Sequence, residues 1–244
     1  MSTYPIISVV IPVYNGEKYL MAAIEGIKRQ NISTEILIVD DASSDRSREI
    51  AQTHADIFIA NDKNLGPIES RRIGMKQAKG KYLFFHDQDD LLCDNALPVL
   101  ARCLEENHNL SVVFAQRKDF LSADAYGTNE PAPRIKADAY WGAVSGAALL
   151  RASDFIGSSL FLNEYNTISG EAFYLQKFAE EHDLGISKLP FTASMRRIHG
   201  NNYSIRHSED HKRDFMKLLR SKLERETSGR QRFRLAGGWV GIAA

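Results

Sequence analysis

The chain has 244 residues, 43% apolar and 25% charged, a balance that suits an ordinary globular protein and excludes a disordered or fibrous one. Its 31 basic residues offset 31 acidic ones, so the overall field gives no reason to expect nucleic acid as a partner. The two cysteines, Cys93 and Cys103, lack CxxC spacing and a second pair, which points away from a zinc site and toward reduced structural thiols in the cytoplasm.

Met1–Pro5 has no basic stretch leading into a long apolar run, so neither a signal peptide nor a membrane anchor is expected, and apolar runs such as Ile6–Val13 are only strand-sized. The β-branched run Ile6–Ile11, closed by Pro12, predicts a buried parallel strand whose ladder ends at the proline. Leu20, Ala23, Ile24 and Ile27 recur at helical spacing and predict a helix over about Glu17–Arg29. Glu35–Val39 is a second strand ending at Asp40-Asp41, and Ser43, Ser44 and Asp45 are N-cap candidates for a helix to about Gln52. Ile57–Ala60 is a third strand. Pro67 suits the first position of a helix reaching about Ala78, and Tyr82–Phe85 is a fourth strand delivering His86-Asp87-Gln88-Asp89-Asp90.

Strands alternating with helices predict right-handed βαβ units, a mostly parallel sheet and an α/β fold. Ligands of such sheets bind beyond the carboxyl ends of the strands, where Tyr14-Asn15, Asp40-Asp41 and Asp87–Asp90 all fall, so these three segments should face one cleft. The second half is less regular. Ser122–Ala139, with Gly127, Pro131 and Pro133, reads as a loop or flap; Val144–Leu150 is a strand candidate, Gly170–Glu181 a helix, and Gly185–Leu189 and Thr192–Arg196 two short strands. A charged helix is expected from Ser208 to about Thr227.

Three aspartates within four residues repel one another unless a cation neutralises them, and oxygen ligands favour a hard ion such as Mg²⁺ or Mn²⁺. The D-x-D spacing of Asp87 and Asp89 lets the pair straddle an ion, whereas an aspartate at a helix start, the reading adopted for Asp94, is stabilised by the helix dipole alone. His199, taken by itself, reads as a structural histidine.

Val9–Asn15, Ile38–Asp45, Asn64-Leu65-Gly66 with Arg71, Ala78–Tyr82 and Asp87–Asp90 closely resemble, in order, the signature of glycosyltransferase family 2. The resemblance covers roughly Ile6–Leu97 strongly and continues thinly to Ser204, through Gly146, Gly170-Glu171 and Arg197-x-His199. It implies a GT-A fold over residues 1–205, with a nucleotide-binding half (1–97) and an acceptor-binding half (98–205); residues 206–244, which the resemblance does not reach, read as a basic helical extension and tail. It implies an inverting transferase moving a sugar from a nucleotide diphosphate sugar, a UDP-sugar first, to a hydroxyl of a saccharide or glycolipid. Pro12, Tyr14 and Asp41 match positions that hold base and ribose, Tyr14 by stacking and Asp41 by accepting a base N–H. Arg71 matches an arginine near the diphosphate, Asp87 and Asp89 the D-x-D motif that binds ribose and metal, and His199 a histidine that completes the shell of Mn²⁺ or Mg²⁺.

Members of that family often carry the catalytic base as the aspartate of a Glu-Asp pair at a helix start, and here the text is Ser169-Gly170-Glu171-Ala172. In one register Glu171 is itself the base; in the other Ala172 stands in its place and the chain is an impaired enzyme or a nucleotide-sugar-binding protein. The first register is adopted because it sets Lys177 and Phe178 on the following basic and apolar positions. A helix-capping carboxylate is a further role open to Glu171. A sugar-phosphate nucleotidyltransferase or a dinucleotide oxidoreductase would need a glycine-rich phosphate loop after the first strand, and none follows Ile11. Arg206–Arg234 holds ten Lys/Arg against five Asp/Glu, a net +5 that suits either peripheral contact with an anionic membrane or a solvated face on a packing helix.

Overall fold

Residues 6–122, 136, 138–141, 144–157, 175, 178–200, 202 and 216 are described in the computed structural model. The first half runs β1 (Ile7–Val13), α1 (Leu20–Lys28), β2 (Thr34–Asp40), α2 (Ser47–His54), β3 (Ile57–Ala60), α3 (Pro67–Met75) and β4 (Tyr82–Phe85). The second half adds β5 (Leu91–Leu92), α4 (Ala96–Glu106), β6 (Leu110–Leu121), β7 (Tyr140–Trp141), β8 (Ala148–Arg151), α5 (Ala152–Phe155) and β9 (Gly185–Ile198). They join in one sheet of order β3-β2-β1-β4-β8-β6-β9-β5, with β7 beside β6. Strands β3, β2, β1 and β4 are parallel, and β8 enters antiparallel to β4.

Both faces of β1 are covered, which is why its sequence is a continuous apolar run rather than an alternation. Ile7, Val9, Ile11 and Val13 pack with Leu20, Ile24 and Ile27 of α1 and Leu97, Leu100 and Leu104 of α4. Val10, Leu37, Leu83 and Phe85 point the other way, onto Ile68 and Met75 of α3 and Phe155 of α5. At the amino ends of the strands, buried Glu35 accepts hydrogen bonds from Ser8 Oγ, from Lys79 N at 2.6 Å and from Gly80 N at 3.2 Å, tying β1, β2 and the entry to β4 together. A Cβ at residue 80 would stand 2.5 Å from Ser8 N, so only glycine fits there.

Several boundaries differ from expectation for identifiable reasons. Pro12 does not end β1: it pairs with Val39, and Val13 with Asp40. Only the β4 side stops there, since His86 N donates to Val10 O and the next residue facing that side, Pro12, has no N–H. Helix α1 begins at Leu20, and α2 begins at Ser47, where Asp45 Oδ1 accepts from Ser47 N at 2.9 Å. Ser43 and Ser44 bond to Asn15 and do not cap α2. Residues 144–147 turn before β8, with Gly146 at φ 71 and its N–H on Phe85 O. The two short strands expected within 185–196 are one strand, β9, and Pro190 is accommodated where the five residues Lys188–Thr192 span only the three residues Phe114–Gln116 of β6. Asp94 stands two residues ahead of α4, whose Leu97 N–H is capped instead by Gln30 Oε1 at 3.1 Å. Most of the expected flap, the Gly170–Glu181 helix up to residue 177 except Leu175, and the charged segment except Met216 lie outside the described residues; 178–181 is helical.

Candidate active site

The carboxyl ends of β1, β2 and β4 meet as the parallel order requires. Beyond β1, Tyr14 is 49% exposed, while its backbone N–H and C=O both bond the side-chain amide of Gln88, at 2.9 and 3.1 Å. Gly16 lets that amide in, because a Cβ there would lie 2.3 Å from Gln88 Oε1. Asn15 N donates to Ser43 Oγ and Asn15 Oδ1 accepts from Ser44 N, locking the loop after β1 to the loop after β2. Pro12 is buried beneath.

Asp41, at the end of β2, is buried and accepts from Asn61 Nδ2, Leu65 N and Gly66 N, each at 2.8 Å. It therefore organises the loop into α3 and keeps about one of a carboxylate's four acceptor sites for a further donor. Asp40 beside it is closed by Ser43 N and Arg48 Nε.

Beyond β4, Asp87 and Asp89 diverge to different partners. Asp87 Oδ1 accepts from Arg71 Nη2 at 2.5 Å and Ser145 Oγ at 2.7 Å. Burial pushes this carboxyl up, but Arg71, Arg117 and the Ser145 hydroxyl outweigh it and hold it at about 2, so it is ionised at neutral pH. Arg71 is 1% exposed and meets the site through Asp87. Asp89 Oδ2 lies 2.8 Å from His199 Nε2 and 3.2 Å from Asn202 Nδ2, and Asn202 Oδ1 accepts from His199 N. The His199 ring also packs on Tyr19, with centroids 4.8 Å apart.

Asp90 turns inward. Its Oδ2 accepts from Arg117 Nη2 at 2.5 Å and its Oδ1 from Arg197 N at 2.9 Å. Burial raises this carboxyl well above the usual carboxylate range, opposed by Arg117 and reinforced by Asp89 and Asp87. His86, wholly buried, is pulled down to about 4 by burial and is neutral at neutral pH.

Of the residues expected in one cleft, Tyr14 is exposed, Asp87 and Asp89 each keep an oxygen without a partner among the described residues, His199 is buried against Asp89, Arg71 holds Asp87, Asp41 organises the loop into α3, and Glu171 lies outside the described residues. The sequence reading missed Gln88, Ser145, Arg117 and Asn202. Asn202 was nearest to view, in the same short polar run as His199; Arg117 and Ser145 carried no motif. Among the described residues no three His, Cys, Asp or Glu side chains form a ready metal cage. The donor set still suits a hard divalent ion: Asp87 Oδ2 and Asp89 Oδ1 have no hydrogen-bond partner among the described residues, and Mg²⁺-like ions commonly take one or two carboxylates and complete their shell with substrate phosphates. Two carboxylates beside an exposed aromatic ring at the end of a parallel sheet can receive a metal-bound nucleotide phosphate group.

The family model described as Glycosyl transferase family 2 matches residues 8–181. The minor teichoic acid biosynthesis protein GgaB of Bacillus subtilis is 36% identical over 110 residues, 42% of this chain and 12% of that protein. The chain spans less than half the length of the curated relatives it matches. Among solved structures, S. aureus TarS 1–349 in complex with UDP-GlcNAc superposes with a TM-score of 0.62 at 20% identity, covering 81% of this chain and 60% of that one. The mannosyltransferase PcManGT of Pyrobaculum calidifontis, in complex with GDP-Man and Mn²⁺, gives 0.62 at 16%, covering 90% and 65%. These likenesses establish the GT-A architecture expected of the sheet. With the family match spanning most of the chain on that architecture, the protein belongs to glycosyl transferase family 2.

Proposed function

We propose that this protein is an inverting glycosyltransferase that moves a sugar from a UDP-sugar to a hydroxyl of a saccharide or glycolipid. The observation that carries the reading is the Asp89–His199 contact, two residues along from Asp87 beyond β4, with one oxygen on each carboxylate lacking a partner among the described residues and the exposed Tyr14 ring beyond the adjacent strand. UDP as donor carrier is supported by the fold likeness to a protein solved with UDP-GlcNAc, and a saccharide acceptor by the relative named for teichoic acid biosynthesis.

In this reading Tyr14 stacks on the base, Pro12 and Asp41 shape its seat, and Asp87 faces the ribose and diphosphate. Arg71 serves by keeping Asp87 ionised rather than by touching phosphate. Asp89, with His199 and Asp87, would hold Mn²⁺ or Mg²⁺, which supplies Lewis-acid stabilisation of the departing diphosphate. Glu171 accepts the proton of the acceptor hydroxyl as its oxygen bonds the anomeric carbon and the bond to the diphosphate breaks, which inverts that centre. Residues 1–97 form the donor half and 98–205 the acceptor half, and the basic 206–234 segment brings the protein to the cytoplasmic face of an anionic membrane. No helix among the described residues is long and apolar enough to cross one.

The test is a thermal-shift panel of UDP- and GDP-sugars with and without Mn²⁺, followed by donor hydrolysis on any stabilising sugar. A Mn²⁺-dependent rise with a UDP-sugar, followed by slow release of UDP, is expected, and Glu171→Gln should abolish release while leaving the shift. A flat panel removes the donor-site reading; a shift without hydrolysis leaves a binding protein.

A further inference from the structure

Asp90 and Arg117 are 2% and 5% exposed at their side chains, too deep to touch a donor in the cleft. Together they nevertheless reach both outward-facing carboxylates, each by its own route. Arg117 Nη2 holds Asp90 Oδ2 at 2.5 Å, while Nη1 donates to the carbonyl of Ser145 at 3.3 Å, and the hydroxyl of that same Ser145 donates to Asp87 Oδ1. Asp90 Oδ1 accepts from Arg197 N, and Arg197 Nε donates to the backbone carbonyl of Asp89 at 2.9 Å. Arg197 O in turn accepts from Asn202 Nδ2, the group that also reaches Asp89 Oδ2. Gly146 fits against this knot, since a Cβ there would stand 3.0 Å from Ser194 Oγ and 4.0 Å from Asp90 Oδ2.

We propose that the buried Asp90–Arg117 pair is the positioning device of the site, fixing Asp87 through Ser145 and Asp89 through Arg197 so that the two carboxylates keep one spacing. A planar guanidinium presents fixed N–H directions and serves two acceptors at once, whereas an ammonium neutralises a charge without fixing a direction. The pair joins three separate pieces of chain, the end of β4, the middle of β6 and the end of β9, so the spacing of residues only two apart is set by contacts 27 and 107 residues away.

The decisive variant is Arg117→Lys, which keeps the charge beside Asp90 and loses the fork; Asp90→Asn serves as the second. Hydrogen exchange on the full chain without ligand is read for 86–92 and 194–202, with 34–40 as the internal reference. Both peptides should exchange at least tenfold faster in Arg117→Lys while 34–40 stays native. Mn²⁺ binding in the presence of UDP, followed by the electron paramagnetic resonance of the ion, should weaken at least tenfold. A pair that merely neutralises buried charge would leave both readings native in Arg117→Lys, and that result overturns the proposal. The binding arm rests on the donor-site reading: if the unaltered chain binds no Mn²⁺ with UDP, that reading fails, and the exchange arm alone decides whether the pair orders the two carboxylates. Global loss of protection in Arg117→Lys, reference included, with native exchange in Asp90→Asn would also overturn it, as a fold-wide role.

Discussion

His199 Nε2 lies 2.8 Å from Asp89 Oδ2, so two residues 110 apart in sequence form one contact at the mouth of the cleft. Neither side chain is wholly exposed, at 8% and 17%, and His199 N is held in turn by Asn202 Oδ1. The imidazole is thus aimed before any ligand arrives. Changing a group that ligates or orients at a metal site commonly costs 10- to 100-fold in affinity. His199→Ala should therefore weaken Mn²⁺ binding in the presence of UDP by roughly 10- to 100-fold, with the melting temperature little changed. Calorimetric titration checks this, and native affinity in the variant would take His199 out of the site.

His86 makes the fold acid-sensitive. Burial lowers its pKa from the ordinary 6.5 to about 4, so between those values the unfolded chain takes up a proton that the folded chain refuses. Stability from this group is full above pH 6.5 and drains away toward pH 4, by about 2 kcal/mol at pH 5. Urea midpoints at pH 7 and pH 5 should be compared between the unaltered protein and His86→Phe, since the raised Asp90 carboxyl acts in the opposite sense; the variant should hold its stability better at pH 5 by about the His86 share. An unchanged pH dependence in that variant would assign the loss to other groups.

Arg71→Met strands the Asp87 charge. Breaking a buried ion pair from one side costs about 3–5 kcal/mol, but Asp87 is 28% exposed and water relieves part of that, so about 2 kcal/mol is expected from urea unfolding. The Asp87 pKa should rise at the same time, since burial would then meet less opposition. A folding free energy equal to that of the unaltered protein would show that the pair contributes only orientation.

Gly80→Ala tests the clamp at the opposite end of the strands. The added methyl group would meet Ser8 N at 2.5 Å and Ile7 C at 2.8 Å, both main chain and neither able to swing aside. Overpacking of this kind costs about 1–3 kcal/mol, and the upper end is expected here by chemical denaturation. A stability loss below about 0.5 kcal/mol would mean that β1 and β4 separate readily.

The first half was legible in the sequence because its strands are buried on both faces and its helices carry regular stripes; β3 and β4 were placed to the residue. Where the chain departed from expectation, a specific local contact decided the matter. Asp45 rather than Ser43 or Ser44 meets the start of α2, and both serines are diverted to Asn15. Strands β5, β6 and β7 and helix α5 went unassigned, and of α4 only a start at Asp94 was read. Strand β6 mixes the apolar Val112-Val113 with Arg117 and Asp119, whose burial depends on partners far away in sequence, and no local pattern announces that. The acidic motif could be singled out from spacing and His199 from the family resemblance, but their contact depends on β9 ending where it does, beside β6, with its bulge at Pro190. Arg117 and Ser145 could not be found at all, because their only distinction is what they touch.

Gln88, the unconstrained middle letter of D-x-D, has a consequence for how such sites diversify. Residues 10, 12 and 14 of the first segment all face the β4 side, and the proline silences the second of them. One rung later the Gln88 amide presents an acceptor and a donor to Tyr14, imitating the peptide group of a strand that is not there. The exposed Tyr14 ring and the acidic pair are therefore spaced by a removable prosthesis, seated in the hollow left by Gly16. Exchanging residue 88, with a matching change at residue 16, could reset that distance without touching the hydrogen bonds that hold Asp41, Asp87 and Asp89.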